Sequence, residues 1–240
     1  MGASDLDCQQ NKSNCSQCAL GKICLPVGLD NKDMGRLEEI VNLSTPYHFD
    51  DTVYEAGEHL RNIFAVKSGM FKSYVIDSEG NEHIVGFHLP GEIFGLDAIH
   101  ANKYISTAKS IGTSVVCAIG YENLTNLSLK LPSLQKHLMK IMSKEVSSAQ
   151  ALLADQSAEQ KLAGFLLGLS TRFKQRGYSE KTFNLLMPRI DIANNLNMAP
   201  ETVSRMFKRL KSDEIIDLNL NEITLLDIPH LQKLSGCAAA

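Results

Sequence analysis

Residues 189–212 read RIDIANNLNMAPETVSRMFKRLKS, and the spacing of the apolar side chains divides this stretch into two helices. Ile190, Ala193 and Leu196 recur every three residues, so one face of a first helix is expected to meet a core, with the small Ala193 allowing close approach. Asn197-Met198-Ala199 reads as the turn. Pro200 then opens a second helix, where its missing N–H costs nothing, and Val203, Phe207 and Leu210 point inward from it. Glu201, Ser204, Arg205 and Lys208 are left facing outward. The alternation from Ile215 to Leu226, turning around Asn219 to Asn221, predicts a hairpin beside the two helices. A helix-turn-helix with a wing accounts for all of this; an amphipathic pair with a solvated charged face accounts for the spacing alone.

The outward residues suit base edges and phosphates. A Glu201 carboxylate can accept from cytosine N4, an Arg205 guanidinium can donate to guanine O6 and N7, and a Ser204 hydroxyl serves several edges. Lys208, Arg209 and Lys211 suit phosphates, which set register without reading sequence. The chain carries a net charge of -3, unpromising for a partner of double-stranded DNA, but the charge is unevenly spread. Between Arg172 and Lys211 nine basic residues outnumber three acidic ones, which leaves the rest of the chain at -9. That local field is what phosphate neutralisation requires.

Working towards the N-terminus, Ser157-Ala158-Glu159-Gln160 has the form of a capping box and starts a helix whose Leu162, Phe165, Leu166 and Leu169 make a core stripe. Before it, Pro132 begins a long helix in which no further Pro or Gly occurs until Gly164. Met139, Met142, Val146, Ala149 and Leu153 alternate at spacings of three and four, the seam of a two-stranded coiled coil, and Leu138, Ile141 and Leu152 form a second stripe. One stripe can face the chain's own core and the other a second copy, which predicts a homodimer.

From Tyr47 to Gly120 short apolar runs alternate with turn signals. The runs are Ile63 to Val66, Phe71 to Ile76, His83 to Phe87 and Ser114 to Ile119, separated by Lys67-Ser68-Gly69, Ser78-Glu79-Gly80-Asn81 and Pro90-Gly91. They predict a small antiparallel β roll. The fold class is therefore α+β: an N-terminal double-stranded β-helix or β-roll sensory domain, a long dimerisation helix and a C-terminal winged helix-turn-helix. The expected divisions are 1–30, 31–130, 131–156 and 157–240.

Residues 1–30 carry little periodicity and read as a loop that something other than a hydrophobic core must order. Cys15, Cys18 and Cys24 lie within ten residues there, and Cys117 ends a predicted strand far away; Cys8 and Cys237 look like spares. In a reducing compartment such thiols are metal ligands or redox groups before they are disulfides. Four thiolates suit an iron–sulfur cluster. Zinc remains open, although structural zinc sites usually pair two tight knuckles and only one close pair is present. The C-terminal Cys237-Ala238-Ala239-Ala240 fits a prenylation box only superficially, since no polybasic segment precedes it.

Met1 to Cys8 lacks the regions of a secretory signal, and no run approaches a membrane span, so a cytoplasmic protein without a membrane partner is expected. His83, His88 and His100 are scattered with no nucleophile or dyad, so no catalytic residues and no enzyme are expected. Gly91-Glu92 is like the start of a cyclic-nucleotide phosphate cassette. No arginine lies between Arg61 and Arg172 to clamp the phosphate, so no cyclic nucleotide is expected.

Taken together, the four cysteines, the β roll with Gly69, Gly80 and Gly91, the long helix and the Glu201-x-x-Ser204-Arg205 pattern resemble the oxygen-sensing fumarate and nitrate reduction regulators. These belong to the cyclic-AMP receptor protein superfamily, and the likeness spans nearly the whole chain. The resemblance implies that Cys15, Cys18, Cys24 and Cys117 ligate a [4Fe–4S] cluster and that the cluster-bearing dimer binds a palindrome of TTGAT-type half-sites, read by Glu201, Ser204 and Arg205. It implies that O2 converts the cluster to [2Fe–2S], with loss of dimerisation and DNA binding. It also implies that the hairpin with Ile76, Gly80, Asn81 and Glu82 touches RNA polymerase. Family members commonly carry an acidic residue on the dimer face where Ala149 stands, so this chain is expected to dimerise more readily without its cluster.

Overall fold

The computed structural model describes residues 13–152 and 156–236. Within these bounds the residues up to 75 together with 87–145 form one compact unit, and 76–86 together with those from 146 onward form a second.

The first unit runs through α1 (Asn31–Glu39), β1 (Val41–Leu43), β2 (Thr52–Tyr54), β3 (Asn62–Ser68) and β4 (Phe71–Ile76) up to residue 75, and resumes at residue 87 near the end of β5 (Glu82–His88). It continues with β6 (Ile93–Phe94), β7 (Thr107–Ser110), β8 (Val115–Gly120), α2 (Tyr121–Lys130) and most of α3 (Pro132–Leu152). The strands make two four-stranded antiparallel sheets, ordered β1-β8-β3-β6 and β2-β7-β4-β5, in which the four runs read from the sequence are β3, β4, β5 and β8. Their inner faces bury Tyr54, Phe64, Phe71, Phe94 and Tyr104 as one aromatic stack, with Tyr54 and Tyr104 ring centroids 3.9 Å apart. Offset stacks of this kind add to the area that each ring buries.

Two corrections to the sequence reading arise here. The loop before α1 is partly ordered by a hydrophobic core, because Leu25 is only 2% exposed and sits among the β-roll core residues. α1, α2 and the strands β1, β2, β6 and β7 were not anticipated; they are short, and the neighbouring sheet supplies most of their order.

Gly91 shows how the loop is seated. Its φ of +86° suits only glycine at low cost, and a Cβ there would lie 2.8 Å from the Ile23 side chain. The cysteine-bearing loop thus packs on the Pro90-Gly91 turn because no side chain intervenes.

Helix α3 divides its faces as the two stripes require. Leu134 is fully buried, and Leu138 and Ile141 pack against the β-roll core. Met139, Met142 and Val146 are 65%, 44% and 59% exposed, and Ala149 is exposed. Leu153 lies outside the described residues, as do Cys8 and Cys237.

The second unit contains α4 (Ala158–Gln175), β9 (Thr182–Asn184), α5 (Arg189–Asn195), α6 (Pro200–Ser212), β10 (Ile216–Asn219), β11 (Glu222–Leu225) and α7 (Ile228–Ser235). The capping box is present in both halves: Ser157 Oγ accepts from Gln160 N, and Gln160 Oε1 accepts from Ser157 N at 2.8 Å. Replacing Ser157 by alanine is expected to cost about 1 kcal/mol in the thermal unfolding of this unit. Leu162, Leu166 and Leu169 of α4 are buried, and Phe165 is half-buried. Among the described residues no helix is long and apolar enough to cross a membrane.

Candidate metal centre and nucleic-acid interface

The cysteine loop is a chain of tight turns. Cys18 N donates to Cys15 O, Gly21 N to Cys18 O and Cys24 N to Leu20 O, at 3.2, 2.9 and 3.0 Å. Those turns hold three thiols on one side of the loop. Glu38 of α1 fastens the outer edge, accepting from Ser16 N at 2.8 Å and Ser16 Oγ at 2.9 Å, and these hydrogen bonds lower its carboxyl pKa.

Cys117 arrives from the opposite direction. It sits on β8, in register with Leu43 of β1 and Ala65 of β3, and is 8% exposed. One recess has Ser13, Lys67 and all four cysteines on its wall. Ser13 Oγ lies 3.6 Å from Cys117 Sγ and 3.9 Å from Cys15 Sγ, and Lys67 Nζ donates to Cys18 Sγ at 3.1 Å. The structure thus brings together the residues that spacing could only nominate.

Burial raises the thiol pKa of Cys15 and Cys117, and that of Cys24 to about 12. Thiolates there need positive charge to offset the loss of water, and a soft cationic centre supplies it. The donor set is all sulfur, which fits an iron–sulfur group or zinc by its chemistry. Among the described residues no three His, Cys, Asp or Glu side chains close around the position of a single ion.

One contact links the recess to the long helix. The Cys24 backbone carbonyl accepts a hydrogen bond from the His137 imidazole of α3, whose Nε2 is buried with no partner among the described residues. Sequence reading missed both His137 and Lys67, because only the folded chain sets them against the cysteines.

The helix-turn-helix follows the predicted frame with one correction. Ile192, Ala193 and Leu196 face the core from α5, whereas Ile190 is 62% exposed. Both isoleucines fit a helical stripe. The first turn of α5 begins at Arg189, however, and Pro188 before it rotates Ile190 to the outside. Asn197 adopts φ +51° in the turn, and Pro200 stands in the first turn of α6. Val203, Phe207 and Leu210 are at most 3% exposed, while Glu201, Ser204, Arg205 and Lys208 are exposed.

Arg209 and Lys211 are also exposed but already have acidic neighbours. Arg209 pairs with Glu159 and Asp213, each at 3.6 Å, and Lys211 Nζ reaches Asp217 and the Leu218 carbonyl of the wing at 2.9 and 2.8 Å. Exposed pairs of this kind are weak and can be shared with a phosphate. The wing consists of β10 and β11, and β9 makes it three-stranded. A further basic group is Arg189, whose guanidinium lies 3.6 Å from the Phe207 ring centroid; its Nη1 is buried without a partner among the described residues. Sequence reading counted it only as charge.

The hairpin between β4 and β5 is closed by Asp77, which accepts from Glu79 N, Asn81 N and His83 Nε2 at 2.8, 2.9 and 2.7 Å. These donors hold the Asp77 carboxyl well below the usual range. Ile76, Gly80, Asn81 and Glu82 are exposed, and the Glu82 carbonyl accepts from Asn194 Nδ2. His88 Nε2 meets Ser73 Oγ at 2.9 Å and its ring stacks on Phe94, while His100 is exposed.

Comparison with known proteins follows the same division. The Crp-like helix-turn-helix domain matches residues 160–234, and the cyclic nucleotide-binding domain matches residues 45–130. The fumarate and nitrate reduction regulatory protein of Vibrio cholerae is 39% identical over 226 residues, spanning 93% of this chain and 90% of that protein. The transcriptional activator protein FnrA of Stutzerimonas stutzeri is 38% identical over 232 residues, spanning 95% of each. Among solved structures, FixK2 from Bradyrhizobium japonicum aligns with a TM-score of 0.75 at 25% identity, covering 83% of this chain and 100% of that one.

Proposed function

This chain belongs to the fumarate and nitrate reduction regulators, transcription regulators of the cyclic-AMP receptor protein superfamily, and on that premise we propose that it is a cytoplasmic oxygen sensor controlling the aerobic–anaerobic switch. The observation that carries the reading is the convergence of Cys15, Cys18 and Cys24 with Cys117 on one recess. A [4Fe–4S] cluster held by these four thiolates would supply the oxygen-sensitive chemistry, with [2Fe–2S] as the product of exposure to O2.

The protein's own residues supply the coupling. With the loop tied to β8 through Cys117, the Cys24 carbonyl holds His137, and Leu134, Leu138 and Ile141 keep α3 seated on the same core. Releasing the loop removes that restraint from the helix whose other face presents Met139, Met142 and Val146 to a second copy. Ala149 brings no like charge to that seam, so the cluster-free chain is expected to retain more dimer than a chain with an acidic residue there.

On DNA, Glu201, Ser204 and Arg205 read TTGAT-type half-sites, and Lys208, Arg209 and Lys211 serve phosphates. The Ile76 to Glu82 hairpin is the surface offered to RNA polymerase. Arg205→Ala is expected to cost about 1–3 kcal/mol on the cognate palindrome and to relax discrimination at one G·C pair. Equal weakening on every sequence, measured by fluorescence anisotropy at fixed salt, would make Arg205 a phosphate contact instead.

The β roll also matches the cyclic nucleotide-binding domain, but residues 62–171 contain no arginine to pair with a cyclic phosphate. The test for both readings is anaerobic purification, with the visible spectrum, iron and sulfide measured and DNA binding and sedimentation followed during O2 titration. A coloured protein that leaves DNA on exposure to O2 is expected. Colourless, zinc-bearing protein whose binding ignores O2 would sink the reading, and so would tightening of DNA binding by cyclic AMP alone.

A further inference from the structure

We propose that Lys67, at the end of β3, is a positioning residue for the iron–sulfur group, its ammonium hydrogen-bonded to the Cys18 sulfur so as to slow attack by dioxygen. The inference rests on the cysteine reading above and adds a residue to it. Lys67 Nζ lies 3.1 Å from Cys18 Sγ and on the same recess wall as the other three cysteines. It stands at a bulge in the β3–β8 pairing, between Val66, which pairs with Val116, and Ser68, which pairs with Val115, while Ala65 pairs with Cys117 itself. One strand therefore carries the donor to Cys18, and its partner carries the fourth thiol.

The electrostatics set the direction. Four thiolates outweigh the positive charge of an iron–sulfur core, so the assembled group is net negative, and the recess around it is walled by Leu25, Val66 and Ile119, all at most 2% exposed. In such surroundings one ammonium counts for more than it would in water. Glu38, the carboxylate bracing the same loop, adds negative charge on the outer side. An N⁺–H donor on a ligand sulfur withdraws electron density from the group, and hydrogen bonds to the sulfurs and net charge are among the terms that set the potential of such clusters. Loss of one electron to dioxygen, which would become superoxide, would leave the Cys18 sulfur less negative. The Lys67 hydrogen bond to that sulfur would then be weaker. Lys67 therefore favours the unoxidised form.

The substitution Lys67→Met keeps a stem of similar length and removes both charge and donor; Lys67→Arg keeps both. Each variant is compared with the parent protein, purified without air, in three measurements: iron and sulfide per chain, the midpoint potential, and the rate at which the visible band bleaches at fixed dissolved dioxygen. The expected result is a lowered potential and bleaching about three- to tenfold faster in Lys67→Met, the scale of one charged hydrogen bond partly exposed to solvent, with Lys67→Arg within about twofold of the parent. Lys67→Met that binds the cluster fully, with unchanged potential and bleaching, overturns the proposal and leaves the cysteine reading standing. A colourless parent protein overturns both. Lys67→Met that loses cluster even without air, and that Lys67→Arg does not rescue, makes the side chain a packing element and overturns the proposal as well.

Discussion

Replacing Cys117 by serine is expected to abolish the visible absorption of the anaerobically purified protein, bring its iron and sulfide to background, and make DNA binding indifferent to O2. The side chain projects from the middle of β8, between β1 and β3, at 8% exposure. Serine differs there by one atom, and Ser13 Oγ, 3.6 Å from the sulfur, remains as a hydrogen-bond neighbour for the new hydroxyl. The β roll should therefore survive with a cost of about 1–2 kcal/mol, the scale for a buried hydroxyl with partial compensation. The ligand set does not survive, because an alcohol is a hard, weakly acidic donor where the group needs a soft thiolate. Circular dichroism shows whether the fold is intact while iron and sulfide analysis reads the loss. A Cys117→Ser protein that is folded, brown and oxygen-responsive would remove Cys117 from the ligands.

Phe207→Ala should strike the other unit. Phe207 is 3% exposed between Val203 and Leu210, and the Arg189 guanidinium lies against its ring. Truncating a buried phenylalanine costs about 3–5 kcal/mol through lost burial and the cavity left behind. A domain is stable by only about 5–15 kcal/mol, so the helix-turn-helix unit should melt far earlier and DNA binding should vanish at growth temperature. The four cysteines belong to the other compact unit. The visible spectrum, iron and sulfide of the variant should therefore match the parent. Unchanged melting of the second unit would mean that Phe207 is not the packing centre of α6, and bleached protein would mean that the two units depend on each other for the metal centre.

How far these residues were legible before folding differs from place to place. The α6 face was plain, because Val203, Phe207 and Leu210 answer to each other within one or two helical turns. The same reasoning misplaced one residue of α5: Ile190 and Ile192 both fit a stripe, and the choice depended on where Pro188 let the helix begin. The strands rich in branched and aromatic residues, β3, β4, β5 and β8, were recognisable from their own side chains. The short strands β1, β2, β6 and β7 were not, since two to four residues carry little pattern and the neighbouring strand supplies their hydrogen bonds. Leu25 was read as loop for a related reason: a lone leucine among turns gives no sign that a sheet will cover it.

What the sequence by itself determined is the local order of this protein. The recognition helix with its turn and charge, and the capping box at Ser157, follow from contacts between residues a few positions apart, where helical and strand periods act directly on the chain. The nomination of four cysteines by type and spacing belongs to the same level. Only the tertiary structure decided that Cys117 meets the other three, that Lys67 reaches Cys18 and that His137 touches Cys24. Those meetings depend on the register of β8 against β1 and β3 and on the seating of α3. Register is fixed by which faces the whole core buries, and no window of neighbouring residues contains that information.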